Sequence, residues 1–206
     1  SADQVAELAT NAGVAIPPAL AASQKNGPFY TVENGVLNVR RFETSDGVFA
    51  PVILPEGTVR FSFTRQTLTP ILRNKAASLY ALDGDLRLIE FHSKANALTG
   101  DSMAVVAAAA EDHGKGILVH NDAQHYSAGV DLNHFYALIE EANWNGIDAF
   151  LNDFQQACMA LKYVPVPVVG APSGLGLGGG YEVLVHCDRL VAHSNSVLGL
   201  VEAAVG

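Results

Sequence analysis

The chain of 206 residues is long enough for one sizeable core plus an appendage, and 49% hydrophobic with 16% charged residues is the composition of a globular protein. A net charge of -9 argues against a nucleic-acid surface, and the charge is lopsided: residues 1–90 carry eight Lys/Arg against nine Asp/Glu, residues 91–206 four against twelve. No apolar run reaches membrane-spanning length, no signal-peptide pattern opens the chain, and the two cysteines, Cys158 and Cys187, form neither a CxxC nor a zinc set; the expectation is a cytoplasmic protein without membrane contact.

Val5, Leu8, Ala9 and Ala12 recur at helical spacing and Gly13 is a natural stop, which predicts a helix over 3–11. Pro17 and Pro18 open a second helix over 19–24. Residues 29–32 and 36–39 flank Asn34 and Gly35, a strong hairpin signal. Residues 43–77 scatter Pro, Gly and Thr among Arg60, Arg65, Arg73 and Lys75, and read as a connector with a solvated basic face. From Ser78 the texture changes. Residues 78–82 and 86–91 alternate around Asp83, Gly84 and Asp85, a second hairpin. Thr99 is placed to cap a helix over 100–112 with Met103, Val106, Ala107 and Ala110 on its apolar face. A buried strand over 116–120 follows, then helices over 133–141 and 147–163, in which Phe150 and Phe154 read with Trp144 as core. Strands over 189–192 and 196–198 end the series. Strands alternating with helices predict an α/β domain of stacked βα units.

A β-branched run at 166–169 leads into a loop with glycine at 174, 176, 178, 179 and 180, and a helix begins at Gly180. Such a loop carries backbone amides to a helix N-terminus, where unpaired donors and the helix dipole favour negative charge. Gly174, Gly176 and Gly179 satisfy G-x-G-x-x-G, so a dinucleotide-binding domain is one alternative. Against it, the next strand ends in His193, Ser194 and Asn195 rather than in a ribose-binding acid, and Pro172 and Ser173 lengthen the junction. His113, His120 and His125 have no metal-ligand spacing, so no metal is expected. His125-x-Ser127-x-Gly129 echoes a nucleophile elbow without its partners.

The string His125-Tyr126-Ser127-Ala128-Gly129-Val130-Asp131-Leu132 is followed by Pro167-Val168-Val169-Gly170, Gly178-Gly179-Gly180-Tyr181-Glu182, Cys187-Asp188-Arg189 and Leu198-Gly199-Leu200-Val201-Glu202. This order resembles the crotonase, or enoyl-CoA hydratase/isomerase, superfamily over about residues 78–206. The resemblance implies a fold of stacked ββα units, truncated at the C-terminus and preceded by a small α+β linker segment. It implies an acyl-CoA thioester as partner and substrate, with an oxyanion hole made by the amides of Val130 and Gly179. Glu182 and Glu202 correspond to the glutamate pair that adds water to a trans-2-enoyl-CoA, a step without a cofactor. Ala128 matches the position whose carbonyl meets the adenine, Asp131 lies beside the oxyanion loop, and Lys94 stands where a phosphate or ribose contact is expected.

Residues 13–77 resemble the segment that joins two activities in a fused 3-hydroxyacyl-CoA dehydrogenase of fatty-acid β-oxidation. The division expected is 1–77, tail of the dehydrogenase portion and connector, and 78–206, an incomplete acyl-CoA domain. The resemblance further implies a parent chain that is cut at both ends here, whose dehydrogenase domain is the partner and alone uses NAD, and which forms a homo-oligomer at full length. A CoA-binding or scaffold module without turnover is the other class of function left open.

Overall fold

The computed structural model describes residues 2–33, 36–43, 47–52 and 55–201. They form two compact units, divided between Thr67 and Leu68.

In the first unit, α1 (Ala2–Asn11) ends where Gly13 takes φ +66° and donates its N–H to the Thr10 carbonyl at 3.1 Å. Helix α2 (Pro18–Asn26) begins with proline at its first turn, where a missing N–H is harmless. The stripe read on α1 does not go inside: Val5 and Leu8 are 55% and 67% exposed, while Ala6 is buried. The close approach of α1 uses its small side chain and leaves the large ones open. Strands β1 (Tyr30–Glu33), β2 (Val36–Glu43) and β3 (Val48–Pro51) make an antiparallel sheet in that order. The expected hairpin pairs Tyr30 with Val39; its turn, Asn34 and Gly35, lies outside the described residues. Phe49 meets Phe29 edge-on at 5.0 Å between centroids and carries the Arg40 guanidinium 4.8 Å above its ring. A single-turn helix α3 (Phe61–Thr64) closes the unit.

The second unit contains β4 (Pro70–Arg73), β5 (Ala77–Leu82), β6 (Leu86–Phe91), α4 (Gly100–Glu111), β7 (Gly116–Val119), α5 (Leu132–Glu140), α6 (Trp144–Tyr163), β8 (Val168–Gly170), β9 (Leu175–Leu177), α7 (Gly179–Val185), β10 (Arg189–Leu190) and β11 (Val197–Gly199). Six strands form one sheet in the order β10-β8-β7-β6-β5-β4. The pairs β4–β5 and β5–β6 are antiparallel; β6–β7, β7–β8 and β8–β10 are parallel. Strands β9 and β11 form a separate parallel pair.

Two expectations change. Residues 70–73, read as connector, are an edge strand; Pro70 is tolerable there because only one side is paired, and the register slips between Pro70 and Leu72. The glycine run is not a plain loop, because Leu175, Gly176 and Leu177 pair with residues 197–199.

Helix α4 packs on the sheet and α6 packs on α4. Thr99 caps α4 in a reciprocal box with Ser102. Ile89, Val119, Val106, Leu161 and Leu184 are fully buried in one cluster, each worth roughly 1.5–3 kcal/mol of transfer free energy. Trp144 departs from its reading as core: it is 63% exposed at the start of α6, whereas Phe150 and Phe154, further along the same helix, are buried.

Candidate active site

Three segments meet at the C-terminal ends of β6, β7 and β8. Leu98 bridges Val130 in parallel fashion: the Leu98 N–H donates to the Gly129 carbonyl at 2.8 Å and the Asp131 N–H to the Leu98 carbonyl at 2.9 Å. On the other side Ser127 bridges Gly176, with Ser127 N–H to Leu175 O at 3.0 Å and Leu177 N–H to Ser127 O at 3.1 Å. Residues 127–130 are therefore threaded between two flanking chains.

Side chains lock the threading. Asn96, buried with φ +51°, donates its Nδ2 to the His125 carbonyl at 2.8 Å. The buried Ser127 hydroxyl donates to the Asn96 carbonyl at 2.8 Å and accepts the Gly129 N–H at 3.1 Å. Asn121 ties the same loop to the sheet, accepting the Phe91 N–H at 2.7 Å and donating to the Tyr126 carbonyl. Asn121 was not singled out in the sequence; its signal is a polar residue fully buried at the end of an apolar strand.

In this parallel bridge Leu98 pairs with the carbonyl before Val130 and the N–H after it, so the Val130 N–H, on the opposite side of its peptide plane from the Gly129 carbonyl, is turned away from Leu98. Among the described residues neither the Val130 N–H nor the Gly179 N–H has a protein acceptor. The two are neighbours. A Cβ added to Gly179 would lie 2.7 Å from Val130 Cγ2 and 3.1 Å from Phe154 Cζ, and one on Gly129 would lie 3.8 Å from the Gly179 nitrogen. Glycine is needed at 179 for space, and at 178, the N-cap of α7, for its φ of +49°. The same packing disposes of the dinucleotide alternative: β9 interrupts the glycine run, and the amides of Leu175 and Leu177 are spent on His125 Nδ1 (3.3 Å) and on the Ser127 carbonyl.

Glu182 lies in the first turn of α7, exposed, beside the buried Cys158. Burial, with the Glu182 charge adding, pushes the Cys158 thiol up to about 12. Burial likewise pushes Cys187 up to about 12, with Asp188 and Cys158 contributing, so both thiols stay protonated at neutral pH. Glu182 opens onto a groove of about 260 Å³ shared with Phe154, Met159 and His186. His186 donates Nδ1–H to the Glu182 carbonyl at 2.6 Å. Neither Phe154 nor His186 was read as a site residue; the i, i+4 spacing of Glu182 and His186 on one helix is the signal that could have found the second.

Ala128 donates its N–H to the Ala95 carbonyl at 3.2 Å, which brings Ala128 and the exposed Lys94 to one rim of the site. Asp131 caps α5, its Oδ1 accepting the Asn133 N–H at 3.0 Å and the Asn133 side-chain amide at 2.9 Å. Glu202 lies outside the described residues. His113, His120 and His125 each bond separately to backbone, and among the described residues no three His, Cys, Asp or Glu cluster as metal ligands. Nor is any described helix long and apolar enough to cross a membrane.

A sequence model of the enoyl-CoA hydratase/isomerase family matches residues 87–206. Over 184 residues the chain is 32% identical to a Bacillus subtilis protein named "Probable 3-hydroxyacyl-CoA dehydrogenase", covering 88% of this chain and 23% of that one. It is 33% identical over 94 residues to the "Fatty acid oxidation complex subunit alpha" of Idiomarina loihiensis, covering 45% of this chain and 12% of that one. The chain thus spans less than a quarter of the length of either relative. The crystal structure of an enoyl-CoA hydratase/carnithine racemase from Magnetospirillum magneticum superposes with a TM-score of 0.58 over 65% of this chain and 52% of that one, at 20% identity, a likeness of fold. With more than half of its residues matched by the family's sequence model and the crotonase fold around them, the chain belongs to the enoyl-CoA hydratase/isomerase family.

Proposed function

We propose that this chain adds water to the double bond of a trans-2-enoyl-CoA, as the hydratase part of a 3-hydroxyacyl-CoA dehydrogenase fusion. The observation that carries the reading is the adjacent pair of acceptorless amides, Val130 and Gly179, one helical turn from Glu182.

The thioester oxygen accepts from both N–H groups. Negative charge builds on it as water attacks the β-carbon, so fixed donors stabilise the transition state more than the ground state, by roughly 3–4 kcal/mol for a single donor. Glu182 and Glu202 hold the water between them: its oxygen bonds to the β-carbon and a proton is delivered to the α-carbon. Water is added whole and no electrons are exchanged, so the step needs no electron carrier. The product, a 3-hydroxyacyl-CoA, is the substrate class named for the Bacillus subtilis relative, and NAD belongs to that oxidation elsewhere in the parent chain.

On the CoA side, the Ala128 carbonyl faces the adenine and Lys94 a phosphate, while Asp131 shapes the rim as the α5 cap. Residues 1–77 are the tail of the dehydrogenase portion with its connector, whose last stretch supplies β4 to the sheet of the acyl-CoA domain, 78–206. The parent acts in the cytoplasm as a homo-oligomer. The test is the loss of enoyl-thioester absorbance when crotonyl-CoA is added to this chain and to its Glu182→Gln and Glu202→Gln variants. Turnover abolished by either change supports the reading. Turnover that survives both sinks it, and retention of crotonyl-CoA without turnover indicates a binding module instead.

A further inference from the structure

We infer that Ser127 is a positioning residue for the hydration step, its buried hydroxyl holding the Val130 and Gly179 amides where one oxygen accepts from both; this rests on reading the two amides as the thioester site. The Val130 N–H belongs to the peptide that begins at the Gly129 carbonyl, so its direction follows the two backbone torsions of Gly129. Glycine leaves both loose, and Gly129 stands at φ +98° with no side chain to restrain it. Two hydrogen bonds supply the restraint: the Gly129 carbonyl accepts the Leu98 N–H at 2.8 Å, and the Gly129 N–H donates to Ser127 Oγ at 3.1 Å. One bond on each side of the Cα fixes the turn between the two peptides. The hydroxyl is itself held, because it donates to the Asn96 carbonyl at 2.8 Å and the residue is fully buried.

Ser127 also touches the segment that carries the other amide. A Cβ on Gly180, the residue after Gly179, would lie 2.6 Å from Ser127 Cβ and 2.8 Å from its Oγ. Gly180 is bare where the serine presses on it. The Leu177 N–H, just before the start of α7, donates to the Ser127 carbonyl at 3.1 Å and seats that start against the same residue. Val130 and Gly179 thus take their separation from contacts that converge on Ser127. Without the hydroxyl, a buried N–H and a buried carbonyl lose their partner and the Gly129–Val130 peptide is free to turn. A donor turned off its line costs the charged transition state more than the neutral ground state.

Two four-carbon thioesters separate positioning from plain structural support. Butanoyl-CoA offers the amides a neutral carbonyl, whereas acetoacetyl-CoA, acidic at its C2, offers an enolate whose thioester oxygen carries negative charge. Both are titrated calorimetrically into the full chain and into Ser127→Ala, which keeps the Cβ against Gly180 and removes only the hydroxyl. The parental chain should prefer acetoacetyl-CoA. In Ser127→Ala that preference should shrink about ten-fold, and kcat for crotonyl-CoA should fall about ten-fold with KM changed by less than about two-fold, a share of the hundred-fold or more that an absent donor costs. Ser127→Cys fills the same space with a poor acceptor; it should show the same fall and replaces Ser127→Ala should that variant not fold. A parental chain without preference for acetoacetyl-CoA overturns the site reading and this inference with it. A preference that survives in the variants, or an equal weakening of both thioesters, overturns the positioning role alone.

Discussion

A Cβ on Gly179 would stand 2.7 Å from Val130 Cγ2, a separation that real side chains do not adopt. The two residues sit in segments 49 positions apart in the chain, and among the described residues neither amide has a protein acceptor.

Gly179→Ala should therefore push the amide pair apart. The expected loss in kcat for crotonyl-CoA hydration is about two orders of magnitude or more. Shortening the opposing side chain in the Gly179→Ala/Val130→Ala double variant should restore part of it. If Gly179→Ala hydrates at the parental rate, the amide is not part of the reacting site.

Asp131→Ala should lower stability by about 1 kcal/mol, because the cap of α5 is lost, and Asp131→Asn should recover most of it. Urea unfolding measures both. A fall in CoA affinity with unchanged stability would give Asp131 a ligand contact instead of a capping role.

Tyr126 is fully buried and its hydroxyl has no hydrogen-bond partner among the described residues. Removing a buried polar group that is not hydrogen-bonded relieves a desolvation penalty of about 1–3 kcal/mol, offset by the small void left behind. Tyr126→Phe should thus be neutral or stabilising on a urea titration. A loss of more than about 1 kcal/mol would mean that the hydroxyl is satisfied, for instance by a buried water.

Stability should fall at alkaline pH. The folded-state values of Cys158 and Cys187 are raised from 9 to about 12, and that of the Tyr126 hydroxyl well above 10, in each case mainly by burial. A raised value means the unfolded chain releases its proton first, so the contribution is intact below pH 9 and is lost as pH climbs towards 12. Each thiol contributes a slope of about 1.4 kcal/mol per pH unit within that window. Cys158→Ala should flatten the pH profile of unfolding free energy; an unchanged profile would show that Cys158 ionises normally.

Much of the second unit can be read locally. The β5–β6 hairpin is announced by Asp83, Gly84 and Asp85, and Gly84 and Asp85 do take φ values of +76° and +61°. Thr99 caps α4 because a hydroxyl at that position reaches an amide three residues on, and α6 declares itself by the spacing of Phe150, Phe154, Ala157 and Leu161. The motif around Ala128, Gly129 and Val130 and the triplet at 178–180 likewise mark the family at the level of sequence.

What could not be read is where distant segments pair. Residues 70–73 are a strand only because β5 offers them an edge, and 175–177 only because β11 lies alongside. The Val130 amide is left without an acceptor among the described residues because Leu98 pairs with the Gly129 carbonyl and the Asp131 N–H on either side of it, and Phe154 borders the site because its ring, carried by α6, reaches Gly179 at the start of α7. Caps, turns and periodicities draw their energy from residues within a turn or two, so the sequence by itself determined the helices, the hairpins and the family. Bridges and edge pairing depend on contacts between residues tens of positions apart, which only the packed chain brings together.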